Sequence, residues 1–465
     1  MTHRDVTHCK ARFNFEYLRS ALEFLLGGSQ WGMISWRTDC GWKSPRLLTV
    51  VSLLWAWSSE ETMVDRLSVS KRIASAMYPQ LQVPASSFQA FCKLLQRWSG
   101  ILAAELKATL HRRMTEQFAD LMRIGKFNLM AVDGSRIGLP RTLSNENEFS
   151  SKRHPRKSKK KKHRSLSAEK KANTVSMWLT TLWHCGTGLP WDWRLGPSDS
   201  SERAHWLEML AELSSPTLFV GDAGFVGYEY AKAVMAAGHA LLIRVGSNVT
   251  LIKKLGYAQE SQGIVYLWPS KAAKRSEPPI VLRLVVCNNG RHPVYLLTSV
   301  LSVRELSDTQ VIKAYKRRWG IELFYRHLKR TYGKHKLVSR SSKAAYVEMT
   351  WAFLGLWCMA LYSLKQLHAQ GIHPARLSFA KLIRAFRRMM RDFALPAEKN
   401  CKLCDLLKQA VIDEYHRTNK ASRDYPRKKN ERPPGPPRLR AASTSQINQA
   451  RKLAQKKHAK IRLTA

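Results

Sequence analysis

At Phe127 the apolar pattern of this chain changes period, and that change limits the folds open to it. From Phe13 to about Met122, apolar residues recur at three-to-four spacing, as in FNFEYLRSALEFLL, RLLTVVSLLWAW and FQAFCKLLQRWSGILAAELKATL. This is the spacing of helices with one buried face. From Phe127 the apolar runs are short and closed by turn residues. FNLMAVDGS, NTVSMWLTTLWH, GLPWDWRLG and PTLFVGDAGF read as four strands, with SSERAHWLEMLAEL a helix among them. Beyond HALLIRVGSN, the runs IVYLWPS, IVLRLVVCNN and PVYLLTSV add three more strand-like segments. That order predicts an α/β chain: a mixed sheet flanked by helices, a β-rich insertion, and helical N- and C-terminal regions.

The expected division follows these changes of texture. It runs from a helical N-terminal domain over 1–124, with DNA-end recognition as its candidate role, to the first part of the core over 125–245. A β-rich insertion over 246–306, the rest of the core over 307–365, C-terminal helices over 366–416 and a basic tail over 417–465 complete it. The tail, with RPPGPPR, is too basic and Pro-rich to fold alone and is expected to be disordered. Apolar residues 346–364 contain Glu348 and read as a buried helix, not a span. The N-terminus lacks a signal-peptide pattern, so a soluble, cytoplasmic protein without membrane contact is expected.

Charge indicates the partner. Lys and Arg number 78 against 34 Asp and Glu, a formal net charge of +44, which calls for a polyanion, nucleic acid first. Residues 151–172 hold eleven cations and one acid, and 417–465 hold fifteen and two. Without these two segments the remainder still carries +21, so the folded body is basic too. Residues 151–172 read as a loop that orders on phosphates. The eight cysteines do not form a disulfide framework. Cys401 and Cys404 make a lone CxxC pair, a weak zinc signal.

The chemistry concentrates in VIKAYKRRWGIELFYRHLKR, read as part of one amphipathic helix from about Thr309 to Tyr332. Tyr315, Arg318, Glu322 and Lys329 sit at offsets 0, 3, 7 and 14, which at 100° per residue fall within about 60° of one another. A carboxylate between two cations and a phenol suits a phosphodiester site, with Arg318, Lys329 and Tyr315 on phosphates. A surface helix with an i,i+4 ion pair explains the same residues equally well. Asp133 and Asp222 end strand-like runs, where an Asp-Gly is more often only a turn. Asp192 and Asp199 compete with them, the latter as a loop or capping acid.

The run Tyr-x2-Arg-x3-Glu-x6-Lys resembles the signature of the IS4 family of insertion-sequence transposases, the group that includes the Tn5 transposase. AVDGSRIGLP and LFVGDAGF resemble the family's first and second acidic motifs. The resemblance covers roughly residues 125–365. It implies an RNase H-like core whose triad is Asp133, Asp222 and Glu322, holding Mg2+ or Mn2+, as two ions about 3.5–4 Å apart. It also implies cleavage at transposon ends, joining of the freed 3′-hydroxyl to target DNA, double-stranded DNA as partner and a synaptic homodimer. Arg244 matches a DNA-contacting position, whereas Trp319 is expected to pack beneath the sheet. Where the best-known relative stacks a flipped base on Trp, this chain has Val294, and only Tyr295 or Trp268 could substitute. A nuclease that cuts without joining and a domesticated, inactive DNA-binding protein remain as alternatives.

Overall fold

The computed structural model of the chain describes residues 12–36, 41–150, 175–213, 216–288, 293–413 and 435–464. The stretch of three-to-four spacing forms α1 (Asn14–Leu26), α2 (Pro45–Trp57), α3 (Met63–Met77) and α4 (Phe88–Gln117). The hydroxyls of Ser44, Thr62 and Ser87 each accept a backbone N–H three residues on, satisfying donors that a helix start leaves free. Nearly every residue of α2 is buried, as expected of a helix apolar on all sides.

The sheet begins with β1 (Arg123–Ile124) and β2 (Phe127–Gly138), followed by α5 (Leu143–Phe149), β3 (Ser176–His184) and β4 (Leu189–Gly196). Helix α6 (Glu202–Leu210) crosses to β5 (Thr217–Gly221), and α7 (Tyr228–Ala236) crosses to β6 (Ala240–Val245). β2, β3 and β4 are antiparallel neighbours, while β5 runs parallel to β2 and β6 parallel to β5. The order 4-3-2-5-6 with those directions is an RNase H-like core.

Beyond β6 the sheet continues instead of closing. β7 (Thr250–Lys253), β8 (Ile264–Leu267), α8 (Ser270–Lys274), β9 (Ile280–Asn288) and β10 (Pro293–Thr298) follow in sequence, and β10 pairs antiparallel with both β6 and β9. After the insertion come α9 (Asp308–Arg317), α10 (Gly320–Arg326), α11 (Ser342–His368), α12 (Phe379–Arg391) and α13 (Leu403–Lys408).

Alternation along β2 divides its side chains between two cores. Leu129, Ala131 and Ile137 join the core formed with α1–α4 and α10–α13, while Met130 and Val132 join the one formed with α6, α7 and the insertion. Within the first core, α11 is long and apolar enough to cross a membrane (mean hydropathy 1.3), and 83% of its most apolar window is buried inside the protein. It is tied to its neighbours by polar contacts: the Trp57 indole donates to Gly355 O at 2.8 Å and the Trp351 indole to Ser99 Oγ at 2.8 Å. A Cβ at Gly355 would lie 3.0 Å from the Tyr332 hydroxyl and 3.2 Å from Ala56 Cβ, so glycine there permits the close approach of α2.

Three expectations are corrected. Strand β2 does not end at Asp133 but continues through Gly138, because β3 pairs with it from Met130 to Gly138. The helix expected from Thr309 to Tyr332 is divided at Arg318 and Trp319, whose N–H groups bond three residues back, to Tyr315 O and Lys316 O. It then passes through a π-helical turn at His327–Thr331. The tail expected to be disordered contains β11 (Arg438–Ala441), parallel to β7, and α14 (Thr444–Thr464). Ala450 is buried and Gln449 donates to Ala273 O at 2.7 Å, so this part folds against the insertion. The basic loop at 151–172 lies outside the described residues.

Candidate active site

Asp133 and Asp222 stand side by side because of strand register. The last registered β2–β5 pair is Ala131↔Val220, and each Asp lies two residues farther along the chain, Asp133 within β2 and Asp222 in extended conformation just past the end of β5. A step of two keeps both on the same sheet face. Asp222 caps the 3-10 turn Ala223–Phe225, its Oδ1 accepting from Gly224 N at 2.7 Å. A Cβ at Gly224 would come 2.8 Å from that oxygen. Arg203 braces the turn by donating from Nε to Gly224 O at 2.8 Å and from Nη2 to Val226 O at 3.0 Å.

Glu322 reaches the same region from α10. The start of α10 is seated on Trp183, whose indole nitrogen lies 3.0 Å from where a Gly320 Cβ would stand. Its buried Tyr325 hydroxyl donates to Asp133 O at 2.7 Å, clamping the helix to β2 at Asp133. The three sequence-predicted acids thus converge. Burial pushes the Asp133 carboxyl up to about 6, with the charges of Asp222 and Glu322 adding to the effect, while the Gly134 N–H and Arg318 oppose it. Asp133 Oδ1 accepts that N–H at 2.9 Å.

The cations of the motif also gather here. Arg318 Nη2 donates to Glu322 Oε1 at 2.5 Å, and its guanidinium carbon lies 5.8 Å from the centre of the Tyr315 ring. Lys329, on the π-helical turn, is close enough to feel Asp133, although burial lowers its pKa overall. π-helical turns are frequent at functional sites. Arg244 lies on β6 opposite Leu296. By alternation it shares the face of Leu242, which belongs to the core that also holds Ile321 and Phe324 of α10.

A fourth carboxylate joins the triad. Glu202, in the first turn of α6, packs on Gly134 so closely that a Cβ there would meet its Oε1 at 2.5 Å and its Cγ at 2.6 Å. Burial, with the charges of Asp133 and Asp222 adding to it and Arg203 opposing, raises its pKa to about 7. Among the described residues, Asp133 and Glu202 are the two carboxyls pushed upward. The sequence signal for Glu202 was only its place just after the start of the helix that leads into the Asp222 strand. Asp192 serves elsewhere, paired with Lys107 at 3.1 Å and Arg194 at 2.9 Å.

Two aromatic expectations change. Trp319 does not pack beneath the sheet: it is 51% exposed and, with Tyr315 and Val294, lines a cavity of about 370 Å3. Trp268 is buried with its indole bonded to Glu277 O, and Tyr295 packs on the opposite core from Val294. The exposed aromatic facing Val294 therefore comes from the catalytic segment and not from the insertion.

Carboxylate oxygens are the donors a hard divalent cation takes, and the repulsion felt by Asp133 is of the kind a cation relieves. Among the described residues no three acidic, His or Cys side chains stand close enough to hold one ion. The donor type fits, and the Arg318–Glu322 contact keeps the third carboxylate on a protein cation.

The family profile described as Transposase DDE domain matches residues 125–358, just over half of the chain. The transposase InsG for insertion sequence element IS4 of Escherichia coli (strain K12) is 26% identical over 251 residues, 51% of this chain and 56% of that protein. The chain thus matches just over half the length of this curated relative. Among solved structures, the piggyBac transposase synaptic complex with hairpin DNA aligns over 90% of each chain at a TM-score of 0.37 and 12% identity.

Proposed function

The chain belongs to the family of transposases with a DDE domain, and we propose that it cleaves DNA at the ends of its own element and joins them to a target. The observation that carries this reading is that Asp133 and Asp222 stand side by side at the paired strands β2 and β5, with Glu322 of α10 near enough that, beside the effect of burial, both charges raise the Asp133 carboxyl. Acids gathered around a buried Asp133 have little structural value in a fold, since their charges oppose its ionisation. They suit the binding of divalent cations, proposed as two ions of Mg2+ or Mn2+, which when bound supply Lewis acidity to the scissile phosphodiester.

The chain's own residues divide the remaining work. Arg318, Lys329 and Tyr315 lie beside the acids and are assigned to the phosphates, with Arg244 on the same sheet face. Tyr325 holds β2 against α10 and Arg203 holds the Asp222 turn, so the triad is supported from both sides. Water attacks first and leaves a 3′-hydroxyl on the element. That hydroxyl then attacks a target phosphodiester and displaces the target's own 3′-oxygen. The proposed partner is double-stranded DNA, the working form a homodimer on paired ends, and the setting the bacterial nucleoid.

Incubating the protein with duplex carrying its element's native ends, a plasmid target and Mg2+ tests this. Cut ends joined to the plasmid are expected. Cleavage without any joined product would overturn the reading in favour of a nuclease, and DNA binding without cleavage would make the chain an inactive DNA-binding protein.

A further inference from the structure

A basic concavity lies away from the carboxylates. A cavity of about 760 Å3 opens between α4, β4 and the start of α11, with Lys93, Arg97 and Lys107 on the first wall, Arg194 on the second and Lys343 on the third. Asp192 and Glu212 take up Lys107 and Arg194. Among the described residues Lys93, Arg97 and Lys343, all exposed, lie within ion-pair distance of no acid, so the groove carries a surplus of positive charge.

The α4 wall has a regular layout. At 100° per residue, Lys93, Arg97, Gly100, Ala104 and Lys107 fall at about 0°, 40°, −20°, 20° and −40°, a single stripe about 21 Å long at 1.5 Å per residue. Cations hold its two ends, and Gly100 and Ala104 keep its middle low. A Cβ at Gly100 would meet nothing within 4 Å, so packing does not require glycine there. In mid-helix it costs about 1 kcal/mol relative to Ala. A row of this length matches a polymer that presents a charge about every 1.7 Å of its axis better than a compact anion.

The groove is also aligned with the acids. Trp193 on β4 pairs with Thr181 on β3, which pairs with Asp133 on β2, so Trp193 in the groove stands two strands, about 10 Å, from Asp133 on the same sheet face, while Arg194 alternates to the other. We propose that this groove binds the phosphodiester backbone of duplex DNA flanking the bond held at the carboxylates. The proposal rests on the reading of the chain as a DNA-processing enzyme, and it adds a second contact surface to that reading.

The test is a salt titration of binding to a blunt duplex of arbitrary sequence, in EDTA, with the full chain. Removing one cation from a phosphate reduces the slope of log K against log salt by about 0.9. The Lys93→Gln/Arg97→Gln/Lys343→Gln variant is expected to lower the slope by about 2 to 3, and Lys399→Gln/Lys402→Gln/Lys408→Gln by less than about 1. Gly100→Glu, which the open space accommodates, removes no cation and is expected to weaken binding as well, with a melting temperature that does not fall. Equal slopes for wild type and the groove triple variant overturn the proposal while leaving the transposase reading in place. Failure of the wild type to join ends, with the slope still falling in the triple variant, overturns the transposase reading and retains the groove.

Discussion

Arg318 holds Glu322 by a charged hydrogen bond of 2.5 Å, four residues apart where α9 gives way to α10. The arginine side chain is 11% exposed and the glutamate 32%, so the acid is the more accessible partner. With Glu322 engaged in this way, a third carboxylate is withheld from any ion at Asp133 and Asp222. Arg318→Met is expected to tighten Mn2+ binding several-fold in the absence of DNA while weakening DNA binding. Calorimetric titration of both proteins with Mn2+ measures it. Equal or weaker Mn2+ binding by the variant contradicts the role given to the contact.

The burial of Asp133, with the nearby acids adding to it, should lower stability at high pH. Asp133 has a folded pKa of about 6, above the ordinary carboxyl value near ~3.9, so its charged form disfavours the fold. This loss grows as pH rises from about 4 to 6 and is complete above that. Asp133→Asn is therefore expected to stabilise the metal-free protein at pH 8 by up to about 3 kcal/mol and to have little effect at pH 4. Urea melts in EDTA at the two pH values measure the difference. A destabilised variant at pH 8 contradicts the account.

Gly134 is required by what faces it. Besides Glu202, an added Cβ would come 2.7 Å from the Trp178 ring, so Gly134→Ala is expected to cost about 1–3 kcal/mol. Combining it with Glu202→Ala should recover at least about 0.5 kcal/mol relative to additivity, as for any pair in contact. A double-mutant cycle by denaturant unfolding gives the coupling. Strict additivity would mean that Glu202 does not rest on Gly134.

The buried ion pair under α11 makes a separate prediction. Glu348 accepts from Lys334 Nζ at 2.8 Å and from the Ser339 hydroxyl at 2.8 Å, and both residues of the pair are nearly inaccessible. Burial opposes its charge, but Lys334 and Ser339 together hold the carboxyl below its ordinary range. Glu348→Gln leaves Lys334 buried without its counter-charge and is expected to cost about 3–5 kcal/mol. A loss of less than about 1 kcal/mol would show that the pair is not desolvated as found.

Those contacts mark the boundary of what the sequence made legible. The period change at Phe127 located the sheet, and apolar runs closed by Asp marked β2 and β5, because strand length and turn chemistry are local properties. The spacing of Tyr315, Arg318, Glu322 and Lys329 was legible for the same reason. The continuation of β2 past Asp133 was not, since it depends on β3 pairing through Gly138 across residues distant in sequence. Glu202 was missed because its proximity to Asp133 arises from α6 crossing the sheet, and a Glu after a capping serine has an ordinary explanation. Trp319 was misplaced because an uninterrupted helix was assumed where the chain tightens by one turn. The tail was expected to be disordered because a segment that cannot fold alone gives no sign of the sheet edge at β7 that β11 joins.

The most direct measurement is strand transfer by the wild type and by Glu322→Gln, with native ends, target plasmid and Mg2+. The substitution preserves the size of the side chain and its hydrogen bond to Arg318, and removes the charge. The account predicts that the wild type cuts and joins, while the variant binds the ends with similar affinity and does neither, a loss of at least about 100-fold. A variant that still cuts and joins would show that the Glu322 stripe is structural and that the third carboxylate lies elsewhere, with Glu202 the first place to look.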